Sequence, residues 1–272
     1  MNEYRLNIGH ICCLGDLHGY FDTLFNWLKT ARFEDTLIII CGDIGFGFNK
    51  EAYYKQKFMS INDYCVAHNC HLYLFRGNHD DPSYFDGNRI NYSNVKAIPD
   101  YSVIITNGET THKILCIGGG TSIDRLSRIR EDTLNAAHYA QFTGLTLSEA
   151  REKINLTYWE DELPSYDPIA LENLHDIDIV CTHTCPSFVG FKDKKGVEGW
   201  MSVDADLGAD LDKEREVMDM VYNSLTENRN PIKQWVYGHF HTHMSEEYEG
   251  IQFTMLDMCR LYKQKFDSLE IR

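Results

Sequence analysis

TLIIICGD, Thr36 to Asp43, reads as a strand that runs straight into a turn. Thr36 to Cys41 carries no polar break, the signature of a strand covered on both faces, and Gly42-Asp43 then ends it. The same pattern stands on either side. His10 to Leu14 ends at GDLHG (Gly15 to Gly19), and Leu72 to Phe75 leads through Arg76 into GNHD (Gly77 to Asp80). Between these runs Phe21, Leu24, Phe25 and Leu28 recur at helical spacing, and a second helical stretch is expected over residues 51–68. Strand-helix-strand repetition of this kind predicts a parallel sheet with right-handed crossovers.

Beyond Asp81-Pro82 the pattern changes. Ser102 to Thr106 and Lys113 to Ile117 read as a hairpin around Asn107-Gly108, followed by Gly118-Gly119-Gly120. Residues 122–167 are polar and aromatic with no clear strand, which marks 120–170 as an insertion or lid within a single 272-residue domain. Ile177 to Cys181 is the next buried strand and ends at Thr182-His183. Leu207, Leu211, Met218, Val221 and Leu225 share one face of an amphipathic helix. Trp235 to Tyr237 is a strand ending at GHFH (Gly238 to His241). His243 to Tyr248 and Gln252 to Leu256 close the chain as an antiparallel pair across Glu249-Gly250.

Composition narrows the classes. The formal charge of -15 disfavours non-specific binding to nucleic acid or to an anionic membrane, since both need net Lys and Arg. No apolar run approaches the ~20 residues of a membrane span. The opening residues show no basic stretch followed by an apolar core, so no signal peptide is expected. Nine cysteines, with no CxxC pair, read as buried thiols of a reducing compartment. A soluble, cytoplasmic protein follows as the expectation.

Five short motifs therefore sit at five strand ends: GDLHG, GD, GNHD, TH and GHFH. Hard and borderline divalent cations take carboxylate, imidazole and amide oxygen, and these motifs supply that set. Asp16 and His18 are two apart, as are His239 and His241, so each pair can point to one side of an extended turn. Taken singly, GD is an ordinary turn and His183 an ordinary strand-end histidine. It is the ordered set that points to metal chemistry.

The order GDxH, GD, GNHD, H, GHxH resembles the calcineurin-like metallophosphoesterase superfamily from Asp16 to His241. The GGGTSIDRLSR segment (Gly118 to Arg128) looks like one seen in small bacterial and phage members. The resemblance implies an α/β fold, a four-layer α/β/β/α sandwich with mixed sheets. It implies two divalent metal ions, with Mn²⁺ favoured over Fe, Zn²⁺ and Mg²⁺. One ion would be held by Asp16, His18, Asp43 and His241, the other by Asp43, Asn78, His183 and His239, with Asp43 shared. The implied activity is hydrolysis of a phosphomonoester or phosphodiester by a hydroxide bridging the metals. His79 would be the general acid, and Asp80 is placed to orient it or tune its charge.

One departure is informative. Phosphoprotein phosphatases and bacterial dinucleoside polyphosphate hydrolases continue the second block into a phosphate-gripping Arg, whereas here it reads GDIGFGF (Gly42 to Phe48). These two activities are the alternatives, and the missing Arg lowers the first. Arg125 or Arg128 is the candidate replacement, while Arg76 reads as a structural partner of a carboxylate. Phe188, Phe191, Lys192, Lys194, Lys195 and Trp200 could line the phosphate site with a base-stacking or second-phosphate contact. A non-catalytic scaffold of the same fold is disfavoured by the complete ligand set. A DNA nuclease is disfavoured by the acidic surface.

Overall fold

The computed structural model describes residues 2–108, 110–259 and 268–271. The expected strand β3 (Thr36–Ile40) lies inside a five-stranded sheet and is buried along its whole length. It pairs in parallel with β2 (His10–Leu14) and with β4 (His71–Leu74), and β4 pairs in parallel with β5 (Val95–Ala97). The outer neighbour of β2 is β12 (Ser268–Ile271), which runs antiparallel. Helices α1 (Phe21–Ala31) and α2 (Glu51–Ala67) supply the crossovers.

The second sheet has seven strands. They are ordered β1 (Glu3–Leu6), β6 (Ser102–Asn107), β7 (Thr111–Ile117), β8 (Ile179–Thr182), β9 (Gln234–Tyr237), β11 (Ile251–Met255) and β10 (Met244–Tyr248). It is mixed: β7, β8, β9 and β11 run parallel, β6 is antiparallel to β7 but parallel to β1, and β10 is antiparallel to β11. The β10–β11 turn has Glu249 and Gly250 both at positive φ, the hand that a two-residue hairpin needs.

Side-chain alternation explains the continuous apolar runs. Ile11, Cys13, Leu37, Ile39, Tyr73 and Phe75 face Ile104, Ile114, Cys116, Ile179, Cys181 and Val236 between the sheets. Cys12, Leu14, Ile38, Ile40, Leu72 and Leu74 point the other way, onto Phe21, Leu24 and Leu28 of α1 and Phe58 and Ile61 of α2. On the far side Leu115, Val180, Trp235 and Phe253 meet Val217, Met218, Val221 and Leu225 of α7 (Leu207–Glu227). The result is the expected four-layer α/β/β/α sandwich. Each buried Ile or Leu contributes roughly 1.5–3 kcal/mol, so the ends of the central strands are held on a stiff base. All nine cysteines are buried thiols and none forms a disulfide.

The 120–170 segment is mostly helical. It contains α3 (Arg125–Thr143), α4 (Leu147–Arg151) and the first residues of α5 (Pro168–Glu172). On α3 only Asp132 and Ala136 are buried, so no apolar stripe announces the helix in sequence. Asp132 ties it down by accepting from the backbone N–H groups of Thr157 and Tyr158 and from the Thr157 hydroxyl. A further short helix, α6 (Glu198–Met201), interrupts the loop after β8. None of the described helices is long and apolar enough to cross a membrane.

Candidate metal centre

The five motifs meet at the C-terminal ends of β2, β3, β4, β8 and β9. Asp16, His18, Asp43 and His241 each place one ligand atom within 4.8 Å of all the others. The two imidazole nitrogens His18 Nε2 and His241 Nε2 are 3.0 Å apart. Asp16 Oδ2 lies 3.0 Å from His241 Nε2 and 3.7 Å from His18 Nε2, yet it is buried and accepts no hydrogen bond. Lone pairs crowded in this way repel one another unless a cation sits among them. The residues therefore fit a divalent ion.

A second group adjoins the first. Asn78 Oδ1 is 2.9 Å from His183 Nε2 and 3.0 Å from His239 Nδ1. His183 Nδ1 faces the Cys41 carbonyl at 2.7 Å, so its proton belongs on Nδ1 and Nε2 keeps a lone pair for this group. Asp43 stands between the groups, with Oδ1 3.3 Å from His183 Nε2 and Oδ2 3.6 Å from His18 Nε2.

Backbone strain is concentrated here. His18, Asp43, His239 and His241 have φ of 45°, 48°, 70° and 51°. Non-glycine residues reach this region at a cost of about 1–2 kcal/mol each, and they persist where surrounding structure over-determines them. Two glycines make room. A Cβ on Gly42 would lie 2.2 Å from His183 Nδ1, and one on Gly77 would lie 2.0 Å from Asp43 Oδ1.

The electrostatics follow the crowding. Burial alone would raise the Asp16 carboxyl, but His18, His241 and His183 hold it far below the usual range. Burial would lower His183, and Asp43 and Asp16 outweigh it, so the imidazole is raised. Burial pushes His79 down to about 4, with Asp43 opposing and Arg128 adding to the shift.

His79 sits at the mouth. Its backbone N–H donates to Asp43 Oδ1 at 2.8 Å, and its Nε2 lies 3.5 Å from Nη2 of Arg128. Arg128 is braced by Asp124 at 2.8 Å and by the Thr157 carbonyl.

Two expectations need correction. Asp80 does not orient His79. Its carboxylate accepts from four backbone N–H groups, those of Ile44, Gly45, Phe46 and Gly77, at 2.7–2.9 Å. It thereby ties the second motif loop to the third, while burial and nearby Asp43 raise it to about 6. Arg125 is not turned to the site either. It forms a fork with Asp204 at 2.6 and 3.0 Å and reaches Asp210 at 2.5 Å, which pins α3 to the start of α7. Arg76 pairs with Asp100 at 2.8 Å and donates to the carbonyls of Asp161, Glu162 and Leu163. Lys192 and Lys194 are paired with Glu246 and Asp212. Phe191 packs on Phe240, which in turn packs against His239.

Asp80→Ala would leave four buried donors without an acceptor. At about 1–3 kcal/mol per orphaned group, partly relieved by water, a loss of roughly 4 kcal/mol is expected. Thermal unfolding should fall by about 10 °C, and a fall under about 3 °C would contradict the anchoring role.

Glu214 was not legible as part of the site. It is buried on α7, its Oε1 accepts from the Thr184 hydroxyl and lies 3.6 Å from His239 Nε2. A carboxylate behind a metal-binding imidazole fixes the ring's orientation. The available signal was an acid at the centre of an otherwise apolar helix face, four residues before Met218.

A site of acids, an amide and imidazoles at the strand ends of a four-layer sandwich defines a metallophosphoesterase. The chain belongs to the calcineurin-like phosphoesterase family, whose model matches residues 9–243. Membership supports a phosphoric ester hydrolase, and the Asp and His cluster could hold a metal ion. No curated protein matches the sequence significantly. Among solved structures, the chain is similar to a dimetal phosphatase from Danio rerio, with 12% identity over 93% of this chain and 88% of that one and a TM-score of 0.47. It is also similar to a phosphopantetheinyl hydrolase from Mycobacterium tuberculosis, with 13% identity, 92% and 90% coverage and a TM-score of 0.44. A third is a cold-active protein-tyrosine phosphatase of a psychrophilic Shewanella species, with 14% identity, 100% and 77% coverage and a TM-score of 0.38.

Proposed function

We propose that this protein hydrolyses a phosphomonoester or phosphodiester with two divalent cations, Mn²⁺ being the favoured metal. The observation that carries this reading is the convergence of Asp16, His18, Asp43 and His241 beside Asn78, His183 and His239, with Asp43 facing both sets. Cations held there would neutralise phosphate oxygens and make a bound water nucleophilic near neutral pH.

The chain's own groups supply the rest. Asp43, kept ionised by the surrounding imidazoles, links the two ligand sets and holds the His79 backbone. Arg128 is the cation nearest His79 and grips a phosphate oxygen, taking the place of the Arg missing from GDIGFGF. His79 is neutral in the free chain. The negative charge of a bound phosphate ester beside it raises its pKa, so the imidazole takes a proton from solvent as substrate binds and gives it to the leaving oxygen. The 120–170 segment contributes to the site through Arg128. The nine buried thiols suit a reducing, cytoplasmic setting.

The test is a panel of aryl phosphate, bis-aryl phosphate, cyclic nucleotide, dinucleoside polyphosphate and phosphopeptide, each with Mn²⁺, Zn²⁺, Fe²⁺ or Mg²⁺. Hydrolysis of at least one ester that disappears on chelation and returns with metal is expected. Inactivity on all esters with all metals would overturn the proposal.

A further inference from the structure

An asparagine side chain has two ends of almost the same shape, an acceptor oxygen and a donor NH₂. Asn78 turns its oxygen to His183 Nε2 and His239 Nδ1. The reverse orientation would point N–H groups into the ligand cage and repel a cation. What sets the orientation lies on the other side of the amide. Asn78 Nδ2 donates to Ser122 Oγ at 2.9 Å, the shorter of its two contacts, and lies 3.3 Å from His79 Nε2.

Ser122 can accept from Asn78 only if its own hydroxyl hydrogen points elsewhere. It lies against Glu162, whose Oε1 also accepts the Ser122 backbone N–H at 3.0 Å. Glu162 is 2% exposed, and its backbone carbonyl accepts from Arg76 and from Gly120. Burial raises the Glu162 carboxyl to about 7; in its ionised form it has no hydrogen to give, so the Ser122 hydroxyl turned to it keeps a lone pair for Asn78. With Glu162 ionised, the polarity runs one way, from a buried acid through a hydroxyl to an amide.

We propose that Glu162 and Ser122 are positioning residues that hold Asn78 with its oxygen turned to the cation shared with His183 and His239. This rests on the two-metal reading above. It gives the 120–170 segment a part in building the metal centre, because both Ser122 and Glu162 belong to it. Asp16, His18 and His241 do not touch the relay, so its loss should act on one metal position and spare the other.

The experiment is calorimetric titration of the metal-stripped full chain with Mn²⁺, together with electron paramagnetic resonance of the loaded protein. The wild type is expected to bind two ions and to give the spectrum of an exchange-coupled pair. Ser122→Ala and Glu162→Leu should weaken one binding step by about 10–100-fold, leave the other within about twofold, and show isolated Mn²⁺ at intermediate loading. Glu162→Gln, whose amide oxygen can still accept, should retain both steps. If Glu162→Leu fails to fold by circular dichroism, Ser122→Ala decides. Two unchanged steps in Ser122→Ala, or equal weakening of both, would overturn the relay while leaving the two-metal reading intact. A wild type that binds fewer than two ions would overturn that reading and the relay with it.

Discussion

Asp43→Asn is expected to lower hydrolysis of an aryl phosphate by on the order of 10³-fold or more, equivalent to about 4 kcal/mol of barrier. The substitution keeps the shape and removes the charge. Asp43 turns one oxygen to each ligand group, Oδ1 lying 3.3 Å from His183 and Oδ2 3.6 Å from His18. An amide offers one acceptor oxygen, so one of the two groups would face N–H instead. That orientation also matters to His79, whose backbone donates to Oδ1. Metal content should fall together with rate, while circular dichroism stays near that of the wild type. A variant that keeps more than about a tenth of the wild-type rate would show that Asp43 is not shared, since a tenfold change is only about 1.4 kcal/mol.

His79→Ala is expected to separate chemistry from metal binding. His79 contributes no atom to either ligand group and lies at the mouth beside Arg128. Metal uptake should therefore be unchanged. Turnover of an alkyl phosphate, whose leaving oxygen needs a proton, should fall by about 10²–10⁴-fold. An aryl phosphate with an acidic phenol as leaving group should lose less than about tenfold, because that oxygen departs without help. Equal losses on both esters, or full activity on the alkyl ester, would remove His79 as the proton donor.

Much of the fold could be read from the chain because burial on two faces leaves continuous apolar runs. Thr36 to Cys41 is the clearest case, pressed between the second sheet on one side and α1 and α2 on the other. The site was legible for a related reason. Ligands need rare residue types at strand ends, and the loops that carry them need glycine. Other elements left weaker marks. Strands β1, β5 and β12 are short edge or near-edge pieces of three or four residues, and such lengths carry no periodicity. Helix α3 is solvated on most sides, so its only telling residue is a buried aspartate, which in sequence looks like any surface acid. The roles of Asp80 and Arg125 were misread because both depend on partners far away in sequence. Four backbone N–H groups claim the first and Asp204 with Asp210 the second. Glu214 shows the converse, an acid whose place on an apolar face could have disclosed it.

The seven-stranded sheet ends in β10, whose outer rim carries no partner strand among the described residues. Its sequence MSEEY leaves Glu247 exposed on that strand, while Glu246 is held by Lys192 and the Gly190 backbone N–H. A neighbouring molecule that added its own β10 there would set acid against acid. Charge repulsion on a bare margin of this kind guards against open-ended stacking into fibrils, so the chain can keep a hydrophobic interior behind β10 and still stay dispersed.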